Sequence, residues 1–117
     1  MTDQRVEAQI LSVPKIDTRD WYAWNNLQPP GPVSFHVTGE VLVPNPGVHP
    51  LLLPKTPQGI NPMILLLDLL LKQEPGIWPQ ILVWKTARYD KQPAYYRQVQ
   101  IFFGNQLIAD LPVHDIY

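Results

Sequence analysis

Apolar and polar residues alternate most regularly in residues 33–43, with the sequence VSFHVTGEVLV. A period of two is typical of a β-strand with one buried face. Gly39 interrupts the apolar row and predicts either a bulge or a close backbone neighbour. The apolar row consists of Val33, Phe35, Val37, Val41 and Val43, and the polar row of Ser34, His36, Thr38 and Glu40.

Six further stretches have the composition of strands, and they are separated by turn signals such as NPG. They are residues 6–13, 48–54, 63–72, 81–89, 95–103 and 107–113. Most of the 14 prolines fall between these stretches and limit the length of any helix. Pro50 places the second stretch at a sheet edge. The pattern therefore predicts an all-β protein: an antiparallel β-sandwich, immunoglobulin-like or a related barrel, of about seven strands.

Residues 63–72, MILLLDLLLK, carry conflicting signals. Asn61 and Pro62 suit a helix start, and leucine is a strong helix former. A helix here would be apolar on nearly every side, which a chain of this size can hardly surround. We therefore favour a strand over a helix, with Asp68 on the outer face between Leu66 and Leu70.

The last two strands form a hairpin whose loop can have two or three residues. A three-residue loop, residues 104–106, keeps apolar residues opposite each other, and a slip by one residue would turn them to the polar side. The predicted pairs are Phe103 with Leu107, Ile101 with Ala109, Val99 with Leu111 and Arg97 with Val113.

Residues 15–28, KIDTRDWYAWNNLQ, are the other candidate for local helix. Asp17 or Thr18 could cap one helical turn that places Trp21 and Trp24 along one side. We expect a single domain over residues 1–117, in which residues 1–30 form an N-terminal strand and an aromatic covering segment and residues 31–117 form the sandwich body.

Composition narrows the class of protein. The chain has 117 residues, of which 45% are hydrophobic and 16% charged, as in a globular domain rather than a disordered one. A net charge of −1 gives no general attraction to nucleic acid or anionic membranes, and the absence of cysteine excludes disulfides and thiolate chemistry. The N-terminus lacks the pattern of a signal peptide and no apolar run reaches membrane-spanning length, so we expect a cytoplasmic protein without a membrane partner.

Residues 35–71, about a third of the chain, carry a pattern that resembles other proteins. A strand that ends in Val-x-x-Pro-x-Pro-Gly leads to Pro-Gln-Gly-Ile-Asn-Pro and then to Leu-x-Leu-Asp-Leu. This arrangement resembles a pattern of small bacterial proteins of uncharacterised function. The resemblance implies a small β-sandwich and brings no activity and no catalytic residues.

Catalytic chemistry finds little support in the sequence. Ser34 and His36 share a strand face, but residues two apart lie about 7 Å from each other along a strand, which we take as too far for proton transfer. His36, His49 and His114 match no metal-ligand spacing, and residues 114–115 point to opposite faces if extended. We predict no catalytic residues, no metal and no cofactor.

A group of basic and tyrosine residues in the segment 85–98 is a candidate ligand site, because cations and stacking rings suit an anionic ligand or a single-stranded nucleic acid. Ordinary cross-strand pairs explain the same residues, so we expect no nucleic-acid partner. The candidates are Lys85, Arg88, Tyr89, Tyr95, Tyr96 and Arg97.

Apolar residues on outward strand faces are the best functional indication, because large exposed apolar patches mark interaction sites. We predict a non-enzymatic module for protein interaction or assembly. Its partner would be another protein or a second copy of the same chain. The alternative is a binder of a small or anionic ligand through the hairpin 85–98, and the third interpretation is an enzyme of unidentified type. The predicted interface residues are Leu66, Leu70, Leu82, Trp84, Phe102, Ile108, Trp21 and Trp24.

Overall fold

The computed structural model describes residues 9–13 and 15–117, which form nine strands. No helix occurs in these residues, and therefore none long and apolar enough to cross a membrane. The predicted strand at residues 6–13 is described only from residue 9. The strands are β1 (Gln9–Leu11), β2 (Thr18–Asn26), β3 (Ser34–Val43), β4 (Val48–Pro54), β5 (Ile64–Gln73), β6 (Val83–Lys91), β7 (Gln98–Phe103), β8 (Gln106–Pro112) and β9 (His114–Ile116).

Two sheets pack face to face, which confirms the predicted all-β sandwich. In sheet A, β4 pairs with one edge of β5. The other edge of β5 pairs with β7 along its first half and with β1 near its end, and β8 pairs with the far edge of β7. In sheet B the order is β6-β3-β2-β9. The pairs β5–β7 and β2–β9 are parallel, so the sheets are mixed rather than purely antiparallel. After β5 the chain crosses to sheet B, forms β6, and returns to sheet A as β7, parallel to β5. The alternation of residues within a single strand cannot predict such a crossover.

The two most apolar stretches supply much of the core. In β3 the alternate side chains Phe35, Val37, Val41 and Val43 are fully buried, as the period of two predicts. Residues 64–73 form the strand β5, which confirms the preference for a strand over a helix. Alternate leucines from Leu65 to Leu71 face the core, so sheet B needs to cover only one side of this strand.

Residues 18–26 form the internal strand β2, so the predicted helical turn is wrong. The backbone of β2 pairs with β3 on one edge and β9 on the other, and these ladders outweigh the capping signals of Asp17 and Thr18. The covering segment expected from residues 1–30 thus contributes a strand in the middle of sheet B. Trp21 faces inward and packs on Gly39, the close neighbour that the glycine predicted.

The β7–β8 hairpin turns through two residues, not three. Gly104 and Asn105 both have positive φ, 56° and 65°, as the tightest common hairpin turn requires. Phe103 therefore pairs with Gln106 rather than with Leu107, and the prediction is wrong at the tip.

Beyond the tip, an irregularity next to Ile101 restores the predicted register. One extra residue on β8 lets the preferred turn and the apolar pairing coexist, because a bulge shifts one strand by a single position. Ile108 is packed against the core at this point. The confirmed pairs are Ile101 with Ala109 and Val99 with Leu111.

Candidate functional site

The outward side of sheet A, which we call face A, carries a broad apolar surface. Strand pairing defines it, because residues directly opposite each other point to the same side. Leu53 lies opposite Asp68, Asp68 opposite Phe102, and Phe102 opposite Leu107, so this row crosses four strands. The apolar members of face A are Ile10, Leu51, Leu53, Leu66, Leu70, Phe102 and Leu107.

These side chains remain accessible to solvent. Ile10 is 57% exposed, and Leu53 and Leu107 are each 46% exposed. Leu66 and Leu70 are partly exposed on either side of Asp68, as predicted from the alternation. Face A is therefore an exposed apolar surface rather than a second core.

Asp68 has an internal partner. Lys55 Nζ lies 3.2 Å from Asp68 Oδ1, donates to Asn105 Oδ1 at 2.9 Å and is 5.1 Å from the centre of the Phe102 ring. The carboxylate in the middle of the leucine run thus belongs to a local ion pair that also fixes the hairpin tip.

The outward side of sheet B, face B, is aromatic and polar. Four rings stack in the order His114, Tyr22, Trp24 and His36, with centre-to-centre distances of 5.1, 5.6 and 5.0 Å. Arg88 lies 5.9 Å from the Trp24 ring. Tyr22 and Trp24 each pack against two rings of the stack, and Tyr22 is still 45% exposed.

Ser34, His36 and Asp90 form a continuous hydrogen-bonded chain on face B. Ser34 Oγ lies 2.8 Å from His36 Nε2, and His36 Nδ1 lies 2.5 Å from Asp90 Oδ1. The inference that Ser34 and His36 are too far apart is wrong, because it compared backbone positions and ignored the reach of the two side chains. Arg88 Nε donates to Asp90 Oδ2 at 2.8 Å.

The pKa of Asp90 is lower than usual. Burial acts to raise this pKa, but hydrogen bonds from Arg88 and His36 and their charges outweigh it. Asp90 therefore stays ionised at neutral pH.

The predicted interface residues fall into four groups. Leu66, Leu70 and Phe102 lie on face A. Trp24 and Trp84 lie on face B, where the Arg19 guanidinium covers Trp84 at 3.8 Å. Ile108 and Trp21 pack against the core, and Leu82, 69% exposed, precedes β6 at the edge of the sandwich.

The predicted ligand residues do not share one surface. Lys85 and Tyr89 lie opposite Val41 and Val37 and point inward, and burial raises the pKa of Tyr89. Arg88 points outward on face B. The remaining three precede β7: Tyr96 packs edge-on against Phe35, Tyr95 donates to Asp115 at 3.1 Å, and Arg97 is exposed.

A cavity of about 330 Å³ lies between β1 and the β7–β8 hairpin. Its lining includes Leu69, Leu70 and Phe103 and contains no acidic, basic or histidine side chain. Among the described residues, no group of three or more histidines and carboxylates could hold a metal ion.

No protein-family model, curated protein or solved structure matches the chain. The resemblance of residues 35–71 to small bacterial proteins stays a prediction. The Ser34–His36–Asp90 chain is the feature that sequence reasoning missed. The alternation in β3 already placed Ser34 and His36 on one face, but the register that brings Asp90 beside them depends on the β3–β6 pairing.

Proposed function

We propose that the protein is an assembly module that self-associates through face A. The observation that carries the proposal is the group of solvent-accessible apolar side chains on face A, which spans β4, β5, β7 and β8 around the Lys55–Asp68 ion pair. Monomeric proteins rarely expose a continuous apolar surface of this extent unless it binds something.

The area of face A suits a dimer of moderate affinity. The strands of sheet A are β1 with 3 residues, β4 with 7, β5 with 10, β7 with 6 and β8 with 7. At about 3.3 Å per residue and about 4.8 Å between strands, these strands present roughly 500 Å². A stable interface buries about 800 Å² per partner, so face A with its rim approaches the standard size. We expect dissociation constants in the micromolar range.

Burial of face A would leave neither of its carboxylates without an ion-pair or hydrogen-bond partner. Asp68 is bound by Lys55, and Asp110 accepts hydrogen bonds from Gln98 at 2.6 Å and Gln100 at 3.3 Å. An isolated buried charge is costly, whereas a satisfied one can be covered by an apolar partner surface. Face B offers no comparable surface, since Arg19 and Arg88 lie over its tryptophans.

A second copy of the chain is the partner that face A suits. Most homodimers are two-fold symmetric, so the same patch must be complementary to itself. Lys72 is exposed near one end of β5, and Asp110 is exposed on β8 opposite Gln100. We propose a two-fold axis that lies in the plane of the interface and brings Lys72 of one copy near Asp110 of the other, with the apolar side chains of face A between them.

Sedimentation velocity from about 1 to 200 μM tests the proposal, since moderate interfaces dissociate in this range. We expect a reversible dimer that Leu53→Glu and Leu107→Glu each weaken at least tenfold. The matched control is Leu82→Glu, which adds the same charge at an exposed leucine outside face A and leaves the dimer intact.

Charge reversal checks the orientation of the dimer. Lys72→Asp should weaken it, and the double variant Lys72→Asp with Asp110→Lys should restore it. A monomer at every concentration, or equal loss with Leu82→Glu, would overturn the proposal.

A further inference from the structure

We propose that Ser34, His36 and Asp90 form an acyl-transfer site on face B that hydrolyses small aryl esters. Ser34 is the nucleophile, His36 the general base and Asp90 a positioning residue. The site lies on the opposite sheet from face A, so it is independent of self-association.

Donor and acceptor chemistry sets the direction of both hydrogen bonds. An ionised Asp90 only accepts, so His36 Nδ1 carries the proton that joins them at 2.5 Å. In the neutral imidazole, Nε2 then has the free lone pair, and the Ser34 hydroxyl must donate to it at 2.8 Å. This is the arrangement in which imidazole can accept the serine proton during attack.

The surroundings hold the imidazole in place. Arg88 binds the second oxygen of Asp90, which keeps the carboxylate ionised and oriented. The Trp24 ring stacks on His36 at 5.0 Å with an interplanar angle of 25°. A stacked imidazolium is further stabilised by the aromatic ring when it forms during the reaction.

An amide donor lies beside the nucleophile. Asn26 is directly opposite Ser34 in the β2–β3 ladder, which places their Cβ atoms about 5 Å apart. Asn26 Oδ1 accepts from the Gln28 backbone at 3.0 Å, so Nδ2 is the end of this amide that can donate to a developing oxyanion.

The reaction proceeds in two balanced steps. Ser34 Oγ attacks the ester carbonyl carbon while its proton moves to His36 Nε2, and the tetrahedral intermediate collapses as the C–O bond to the leaving group breaks. The leaving group takes the proton from Nε2. Water then attacks the acyl-serine, giving its proton to His36, which returns it to Ser34 Oγ as the carboxylic acid departs.

Accessibility restricts the substrate. Ser34 is 8% exposed, so only a small acyl group such as acetyl can reach its oxygen. The Trp24 ring, which stacks on His36, offers contact to an aryl leaving group. Because the face is open to water, we expect an acceleration of the order that a general base alone provides, about 10² to 10⁴.

Acetylation by p-nitrophenyl acetate is the direct test, read by burst kinetics and peptide mapping. The chain has no cysteine and only two serines, Ser12 and Ser34, so assignment is simple. We expect an acetyl group on Ser34 that hydroxylamine removes, which distinguishes an ester from acetylated lysine. Ser34→Ala should abolish the burst, and Ser12→Ala should leave it unchanged.

Two further measurements keep the test decisive. Asp90→Asn retains the nucleophile and should lower the acylation rate at least tenfold and change its pH profile, which a merely structural residue would not do. Methanesulfonyl fluoride, whose sulfonyl group is about as small as an acetyl group, should label the wild-type protein at Ser34. Absence of both adducts, or equal hydrolysis by folded Ser34→Ala, would overturn the proposal.

Discussion

Gly39 lies in the middle of β3, at the place where the Trp21 ring crosses the strand. A Cβ built on Gly39 would lie 2.5 Å from Trp21 Cζ3 and closer still to two other ring atoms. Gly39→Ala is therefore a one-carbon change that tests how tightly the Trp21 ring packs on β3.

The expected cost follows from the movement of the ring. Carbon atoms pack at about 3.5 to 4 Å, so Trp21 must shift by about 1 Å or more. Overpacking a rigid core costs about 1 to 3 kcal/mol, and loss of the 3.0 Å bond from Trp21 Nε1 to Thr18 Oγ1 adds about 1 kcal/mol. We expect a loss of about 2 to 4 kcal/mol, or about 8 to 16 °C in Tm.

Urea unfolding followed by tryptophan fluorescence measures the effect, and Gly59→Ala is the matched control. A Cβ on Gly59 meets only Leu66 Cδ1, at 3.6 Å, so the same substitution there should be neutral or slightly stabilising. Combining Gly39→Ala with Trp21→Ala should cost less than the sum of the two single changes, because the clash is gone. If Gly39→Ala and Gly59→Ala differ by less than about 0.5 kcal/mol, the close packing of Trp21 on β3 is refuted.

Two further predictions concern polar residues. Asn25, 1% exposed, donates to Tyr96 O at 2.8 Å and accepts from Tyr96 N at 3.3 Å, so Asn25→Ala should cost about 2 to 4 kcal/mol in chemical unfolding by leaving both backbone groups unpaired. Asn26→Ala, which alters only an exposed bond, should cost under about 1 kcal/mol, and equal losses would contradict the reasoning. The pKa of Asp90 is lower in the folded protein than in the unfolded chain, where it is about 3.9. Its ion pairs therefore stabilise the fold fully above about pH 3.9, and this stabilisation is lost as the pH falls through the folded pKa. Asp90→Asn should therefore reduce the free energy of unfolding at pH 7 by under about 1 kcal/mol, as expected for an exposed ion pair. The difference between the variant and the wild-type protein should vanish near pH 2. A difference that persists at about pH 2 would exclude ionisation of Asp90 as its source.

Local patterns predicted those parts of the fold that depend on one strand at a time. Alternation identified β3 and its buried residues, and the leucine run proved to be a strand because one face could be covered by the opposite sheet. Part of the apolar surface of face A was likewise predicted, from Leu66, Leu70 and Phe102. These inferences succeeded because the side-chain period of a strand is a property of the backbone itself.

Relations between distant segments could not be obtained in this way. The hairpin tip shows why: turn geometry and apolar register each had a preference, and a bulge beside Ile101 satisfied both. Residues 18–26 carried helix signals, yet they pair on both edges as β2 because sheet B provides two neighbouring strands.

The sequence by itself determined the class of fold, the faces of its strands and the absence of thiol chemistry, since strand period and composition are local properties. Tertiary structure alone decided which strands are neighbours, and with it the pairing of Lys55 with Asp68 and the meeting of Ser34, His36 and Asp90. The physical reason is that hydrogen-bond and ion-pair geometry acts over about 3 Å, whereas His36 and Asp90 are 54 positions apart in the chain and are brought together only by the β3–β6 register.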